Sequence, residues 1–444
     1  MSEIISIFSQ ILFILFIISF PIIILNNNSK SKFYEFSLID KLCINLIFLI
    51  NVLFFASILN INSKYILYLY LFLIIFLYFF NFKKINFKNI KINYYFLILL
   101  LFIILISIDI AHELYFAWDT KSFMFFKTLN FYQDQKFENL KNFPVLDWPH
   151  LGAYIWSFFW KFPFNNFEYL GRILYVFIYV LSIFSIVEIV KVHIYQKIIL
   201  TILFISLTYN YEFFSGSQEI LIFSFILIAS KFTYYFFEKQ YKTKLLELTF
   251  ILLGIANILC WIKNEGLFFI FFLIFCILII KNLDLKTKKL LITGSLTIFL
   301  IKIFILNFYE ITIDAQYFEF EKTLNIEFFN FLEKIKIISF YLLLYLSQVP
   351  IYLLTLPIMI YTVYKYKMND ITKLTLFFLI LNLLFIYMAF LFKLSETELQ
   401  VRFSLKRVLF ETSGFYFLVI VNFTNNYLHS FNPKIFSKFK NKKY

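Results

Sequence analysis

YYFLILLLFIILISIDIAHELYFAWD, residues 94–119, is the stretch on which the fold turns. Its first part, 94–110, is an almost unbroken apolar run with a single carboxylate, Asp109. A membrane span needs about 20 mainly apolar residues, so 94–110 reads as a transmembrane helix and 111–119 as its emergence into a polar loop. The same reading recurs on both sides of this stretch. Of 444 residues, 61% are hydrophobic and 15% charged, whereas soluble domains carry roughly 25% charged residues. Only 7 Gly and 7 Pro occur, so no flexible linker divides the chain, which reads as a single integral membrane domain over 1–444. The expected fold is all-α: a polytopic helical bundle of about 13 spans, with a large outer loop carrying interface helices after the fourth. Spans are expected near 5–26, 39–60, 65–82, 94–110, 169–190, 196–210, 218–236, 245–262, 265–280, 290–307, 337–364, 372–392 and 406–424. Most of the 67 Phe then face lipid or neighbouring helices.

The net charge of +14 would suit nucleic acid in a soluble protein, but here it follows the loops. Lys30 and Lys32 follow the first span, Lys83, Lys84, Lys88 and Lys91 the third, and Lys191 and Lys197 the fifth. Lys239, Lys242 and Lys244 follow the seventh, Lys281, Lys286, Lys288 and Lys289 the ninth, and Lys365, Lys367 and Lys373 the eleventh. The tail adds Lys434, Lys438, Lys440, Lys442 and Lys443. Cytoplasmic loops carry an excess of Lys and Arg. The alternation therefore puts the C-terminus in the cytoplasm and the N-terminus outside a cytoplasmic membrane, with membrane lipid and not nucleic acid as the surroundings. The first apolar stretch lacks a basic leader and a small-residue cleavage site, so it reads as a retained span. Cys43, Cys260 and Cys276 lie in apolar segments, which indicates neither a disulfide framework nor a metal site.

The longest loop, 111–168, falls on the outer side. It holds Glu113, Asp119, Asp134, Glu138, Asp147 and Glu168, with His112, His150 and four of the five Trp residues. Its stretch WPHLGAYIWSFFWKF, 148–162, is too short to span and too apolar for a free loop, and reads as a helix in the interface or re-entering the membrane. Charged groups at membrane depth mark sites or pathways. Glu219, Lys263 and Glu265 sit where spans meet the outer surface. The alternatives are a solvated span end for Glu219 and a local ion pair capping the turn for Lys263 and Glu265. Asp119 opens WDTKSFMFFKTLNFY. On a helix it shares a face with Ser122 and Phe126, with Lys127 adjoining. A carboxylate beside a cation under aromatic cover suits general-base chemistry on a sugar hydroxyl; the alternative is a helix N-cap. His112 and His150 lack a metal-ligand spacing, and a hydrogen-bonded histidine is the plainer reading. No GxxxxGK[ST], GxGxxG or GxSxG pattern occurs, so ATP hydrolysis and serine-hydrolase chemistry have no support.

These segments bear a family resemblance. WDTKSFMFFKTL resembles the WD-x-x-S-[aromatic]-x-x-x-K stretch of a bacterial branch of the GT-C superfamily of integral membrane glycosyltransferases. WIKNEG is similar to its K-N-E-G turn, and SLKRVLFETSGFY to its S-x-x-R-x-L stretch before a late span. Relatives include the protein O-mannosyltransferases and the transferases that add aminoarabinose to lipid A. The likeness in architecture covers the chain from about 94 onward; the three spans before that are extra. The acidic pair of some relatives is not clearly matched, with Glu113 as the stand-in for one member.

The resemblance implies a polyprenyl-phosphate-linked sugar as donor, a general base at Asp119 with Glu113 and then Asp147 as reserves, and inversion at the anomeric carbon. It also implies cations for the departing lipid phosphate, for which Lys127, Lys263, Arg402 and Arg407 are the outward candidates. Glu219, Asn264, Glu265, Asp147 and His150 would line the pocket. Some relatives bind a divalent metal ion near the acidic residue, but no convincing ligand set is visible here. Arg402 and Arg407 would point about 140° apart on one helix, at ~100° per residue, so one continuous helix cannot bring both to one phosphate. Arg407, which occupies the Arg of the matched stretch, is the choice; the alternative is an arginine snorkelling to the headgroups. The competing function is a transporter or flippase of a lipid-linked sugar, against which stands the lack of a visible internal repeat. The sugar, the acceptor and the oligomeric state are not legible.

Overall fold

In hydrocarbon every backbone N–H and C=O must find an internal partner, which leaves helices or a closed barrel, and apolar runs of about 20 residues suit helices. The computed structural model describes residues 2–25, 36–81, 94–143, 149–163, 167–276, 279–280, 283–311, 328–366, 368–391 and 397–431, and among them the regular structure is helical, with no strand. In chain order the α-helices are α1 (Ser2–Leu25), α2 (Leu38–Ile58), α3 (Ser63–Asn81), α4 (Tyr94–Glu113), α5 (Phe125–Tyr132), α6 (Leu151–Lys161), α7 (Tyr169–Glu188), α8 (Ile194–Thr208), α9 (Glu219–Tyr235) and α10 (Leu245–Ile262). They continue as α11 (Leu267–Cys276), α12 (Leu285–Phe308), α13 (Phe328–Gln348), α14 (Pro350–Tyr366), α15 (Asp370–Leu391), α16 (Thr397–Ser413) and α17 (Phe417–Phe431).

Helix α7 is the axis of the bundle. It is buried along its length, packed by α2, α4, α6, α8, α9 and α17. The outer helices show the opposite pattern. On α4, Leu97, Leu101, Leu105 and Ile108 form an exposed apolar stripe, and Leu296, Leu300, Phe304 and Phe308 do the same on α12. Rows of exposed large apolar side chains at helical spacing are what a lipid-facing surface requires, and water would penalise them. The chain is a membrane-embedded helical protein. Among the described residues, six helices are long and apolar enough to cross: α2, α4, α7, α10 with the turn before it, α12 and α15.

Three differences from the sequence expectation follow from local chemistry. The segments 196–210, 218–236 and 265–280 form helices of 15, 17 and 10 residues, shorter than the ~20 of a full span. The span expected at 337–364 is broken: α13 and α14 meet at a 92° bend. Pro350 lacks an N–H and disfavours helical geometry at Val349, which ends α13 there. The stretch expected in the interface forms α6, but Trp156, Phe159 and Ile155 on it are buried, and the helix packs between α5, α7 and α2. Its apolar character serves protein packing and not a lipid surface.

Helix ends sort into two polar faces. Asp40 opens α2 inside a capping box with Ser37. It meets Lys231 from late α9 at 2.6 Å, and Lys231 meets Glu188 at the end of α7 at 2.8 Å. Lys197 donates to the Glu188 carbonyl, Lys191 pairs with Glu238, and Lys244 lies over the Phe36 ring, so basic residues of the loops after α7 and α9 share this face. The other end of α2, at Ser57, meets His150, and with it come the starts of α6 and α9 and the end of α10. From Asp40 to Ser57 the rise is about 26 Å at 1.5 Å per residue, close to the ~30 Å of a hydrocarbon core.

Candidate active site

The loop between α4 and α5 is pinned before it reaches Asp119. Arg172, buried on α7, is neutralised by Glu168 at 2.9 and 3.1 Å and donates Nη1 to the carbonyls of Phe214 at 3.1 Å and Tyr115 at 3.4 Å. Its guanidinium lies 5.0 Å from the Phe116 ring centroid. The Ala117 N–H donates to Ser215 Oγ at 3.1 Å. Gly216, at φ +92°, makes the close approach possible: a Cβ there would stand 2.5 Å from Thr120 Cγ2. The chain then enters a π-helical turn, Thr120–Met124, that runs into α5. Asp119 precedes this turn with helical backbone angles and makes no capping hydrogen bond, so its carboxylate is not used as an N-cap.

That carboxylate instead ends a chain of alternating charges. Asp119 pairs with Arg407 on α16. Arg407 lies 3.5 Å from Glu219 at the start of α9, Glu219 lies 3.2 Å from Lys263 at the end of α10, and Lys263 lies 2.5 Å from Glu411, one turn after Arg407 on α16. Glu265 stands 3.7 Å from Lys263. Two cations thus hold four carboxylates, Asp119, Glu219, Glu265 and Glu411, a formal balance of −2. Burial is uneven along the chain. The Glu411 side chain is 0% exposed, Glu219 3% and Lys263 14%, whereas Asp119 is 18%, Glu265 29% and Arg407 35%. The Asp119–Arg407 pair is the end at which both partners are open. Burial opposes the charge on Lys263, but Glu219, Glu265 and Glu411 outweigh it and hold the ammonium above the ordinary lysine range. Trp118, 70% exposed, adjoins Asp119 in the chain at the open end, and it packs edge-on against Phe123 at 5.4 Å.

Of the residues picked from sequence, Asp119, Glu219, Lys263, Glu265 and Arg407 come together. Asn264 adjoins them and accepts from Lys302 at 2.9 Å. Arg402 and Arg407 lie on one continuous helix; Arg402 is exposed and stands apart from the network. Glu113 is exposed at the end of α4, outside the ion pairs around Asp119. Lys127 is fully buried; the π turn Thr120–Met124 adds a residue to the winding, so the face expected to carry Asp119, Ser122 and Phe126, with Lys127 adjoining, is not an ideal α face. His150 is a core histidine: it bonds Ser57 Oγ at 2.8 Å and sits among the rings of Phe131, Phe137 and Trp261. Burial, with Lys127 and Lys302, pushes its pKa well below the ordinary histidine value. Asp147 lies outside the described residues.

Glu411 and Lys302 escaped the sequence reading. Lys302 is a lone charged group within an apolar segment, where intramembrane charge was the available signal, and Glu411 follows Arg407 by four residues and reads from sequence as its helical partner. Lys302 is buried late in α12, donating to the Cys260 carbonyl at 3.0 Å and to Asn264 Oδ1. Asp40, Glu188 and Lys231 on the opposite face escaped for the same reason. A metal does not suit the network: among the described residues no three His, Cys, Asp or Glu groups are placed to share an ion, and the carboxylates are spaced by the two cations. No protein-family model, curated protein or solved structure matches the chain.

Proposed function

We propose that this protein is a membrane glycosyltransferase that moves a sugar from a polyprenyl-phosphate donor to an acceptor hydroxyl, working at the face that carries Asp119. The observation that carries the reading is the Asp119–Arg407 pair at the open end of the charge chain. It sets a carboxylate and a guanidinium side by side, next to the exposed Trp118, at an end of a lipid-facing bundle. The resemblance of the segments around both residues to the GT-C transferases supports the same assignment. In the reaction Asp119 takes the proton of the acceptor hydroxyl. The oxygen attacks the anomeric carbon, the bond from that carbon to the phosphate oxygen breaks, and the lipid phosphate leaves with the electron pair. Arg407 offsets the charge that develops on it. Lys263, already held by three carboxylates, serves to position Glu219 and through it Arg407; this replaces its sequence-based role as a phosphate ligand. In a layout of about 13 spans, with the N-terminus outside and the C-terminus in the cytoplasm, the site opens on the outer side of a cytoplasmic membrane.

The test is sugar transfer by the purified protein in detergent, with a polyprenyl-phosphate-linked sugar as donor and surface glycolipids as acceptors. Transfer by the parent chain and its loss in Asp119→Asn support the reading. A second reading, transport of a lipid-linked sugar, is favoured by the 92° break between α13 and α14, since broken helices line many transporter sites. Transport needs a sealed membrane, so uptake into vesicles without transfer in detergent would establish that reading instead.

A further inference from the structure

The charge chain has one cation facing outward and two carboxylates competing for it. Both of Arg407's contacts, to Asp119 and to Glu219, run through Nη1. A guanidinium carries five N–H donors but a single positive charge. With Glu219 beside it, Arg407 cannot also offset both Asp119 and an arriving phosphate, and the two anions would repel each other across one cation. One carboxylate has to yield. Glu219 cannot leave cheaply: its side chain is 3% exposed and shared with Lys263. Asp119 is 18% exposed, lies at the end of the chain and sits on the loop side, where water can rehydrate it.

We propose that Arg407 is an exchange residue: in the free protein it masks Asp119, and an incoming phosphate takes over the guanidinium and releases the carboxylate. The inference rests on the glycosyltransferase reading and deepens it. The sequence of alternating charges survives the exchange, with phosphate in the place of Asp119, while Glu411, Lys263 and Glu219 stay as they are. The freed carboxylate is left next to the bound donor, unpaired and available to an acceptor hydroxyl. Donor binding thus makes the base, and an acceptor that arrives first meets a carboxylate occupied by Arg407.

The exchange makes an unusual demand: removing the catalytic carboxylate should improve phosphate binding, because Asp119 and phosphate compete for one group. A partly exposed ion pair is worth up to ~1 kcal/mol, which is about fivefold in affinity. The experiment measures the affinity of the purified full chain in detergent for undecaprenyl phosphate, uncharged undecaprenol and inorganic phosphate, by change in tryptophan fluorescence. Asp119→Asn, with Asp119→Ser as the second variant where Asn impairs folding, is expected to bind undecaprenyl phosphate about fivefold more tightly than the parent, with undecaprenol unchanged. Arg407→Gln, which removes the charge both anions compete for, is expected to bind it more weakly and to lose the gain when combined with Asp119→Asn. Equal or weaker binding by both Asp119 variants overturns the exchange, and if those variants still lose turnover the glycosyltransferase reading survives it. Inorganic phosphate bound as tightly as the lipid, with the same gain, keeps the exchange but overturns the lipid donor. No binding of either phosphate overturns both.

Discussion

Lys263→Met tests whether the charge chain is a structural unit. The substitution keeps a long unbranched side chain and removes the ammonium that stands 2.5 Å from Glu411, 3.2 Å from Glu219 and 3.7 Å from Glu265. Glu265 is 29% exposed, so its pair contributes no more than ~1 kcal/mol. Glu411 and Glu219 are different: their side chains are 0% and 3% exposed, and their second oxygens find no donor among the described residues. Stripping the partner from a buried pair costs about 3–5 kcal/mol, a large part of the ~5–15 kcal/mol that holds a typical domain. Lys263→Met should therefore lose about 3–5 kcal/mol in a reversible SDS titration in mixed micelles followed by circular dichroism. The formal surplus of two carboxylates makes a second demand. Glu411→Gln alone should cost less than ~1 kcal/mol, and Lys263→Met/Glu411→Gln should recover about 1–3 kcal/mol of the single-variant loss, the coupling of groups in contact. A Lys263→Met protein within ~1 kcal/mol of the parent, or a double variant no more stable than the single one, would refute the reasoning. If Lys263 instead binds the donor phosphate, as the sequence alone suggests, Lys263→Met weakens donor binding more than it lowers stability.

Asp119→Asn should insert and melt as the parent does yet lose about 10²-fold or more in transfer rate, the typical worth of a general base; unimpaired transfer would move the base elsewhere. Arg407→Lys should weaken donor binding about tenfold, because an ammonium cannot reproduce two parallel N–H bonds, while Arg402→Lys, exposed on the same helix, should be silent; the opposite ranking in a donor titration would sink the assignment. A cysteine at Gln133, which is exposed, should react with an impermeant thiol reagent in intact cells, and one within 83–91 should be shielded; identical labelling would reject the orientation. His150 has a folded pKa below its unfolded value near 6.5, from burial first and then Lys127 and Lys302. The unfolded chain therefore takes up the proton first, and the stabilising contribution is full above about pH 6.5 and lost as pH falls from there toward the folded pKa. His150→Phe should flatten the decline of stability between about pH 6.5 and 5; an unchanged profile would show that His150 is not its source.

Helix and membrane were legible because apolar run length is a local property. What such runs cannot report is which side of a helix meets lipid and which meets protein. The helices α7 and α4 are both apolar enough to cross a membrane, yet α7 is buried along its length while α4 exposes Leu97, Leu101 and Leu105. The bend at Pro350 had a local signal, a proline within an apolar run, and the loss of one N–H and the restriction on Val349 suffice to explain it. The shortness of α8 and α9 had a partial signal in polar residues at their ends, such as Asn210, Ser215 and Gln218, which leave the helices for caps and turns.

The site was half legible for a related reason. A charge near a span end can be flagged from sequence, and Asp119, Glu219, Lys263 and Arg407 were. Their partners cannot be, because each pair joins segments far apart in the chain: Asp119 to Arg407 spans 288 positions and Lys263 to Glu411 spans 148. Glu411 shows the consequence. Four residues after Arg407 on α16, it reads from sequence as that arginine's own helical partner. In the fold the two point into one network without pairing directly: Arg407 goes to Asp119 and Glu219, and Glu411 to Lys263. A helix that paired the two internally would leave Asp119 a free carboxylate and Lys263 a free cation. By sending them to different partners, α16 ties the loop after α4, the start of α9 and the end of α10 to a single helix. The pair to which the proposed chemistry falls is then held in place by charges to which the proposal assigns none.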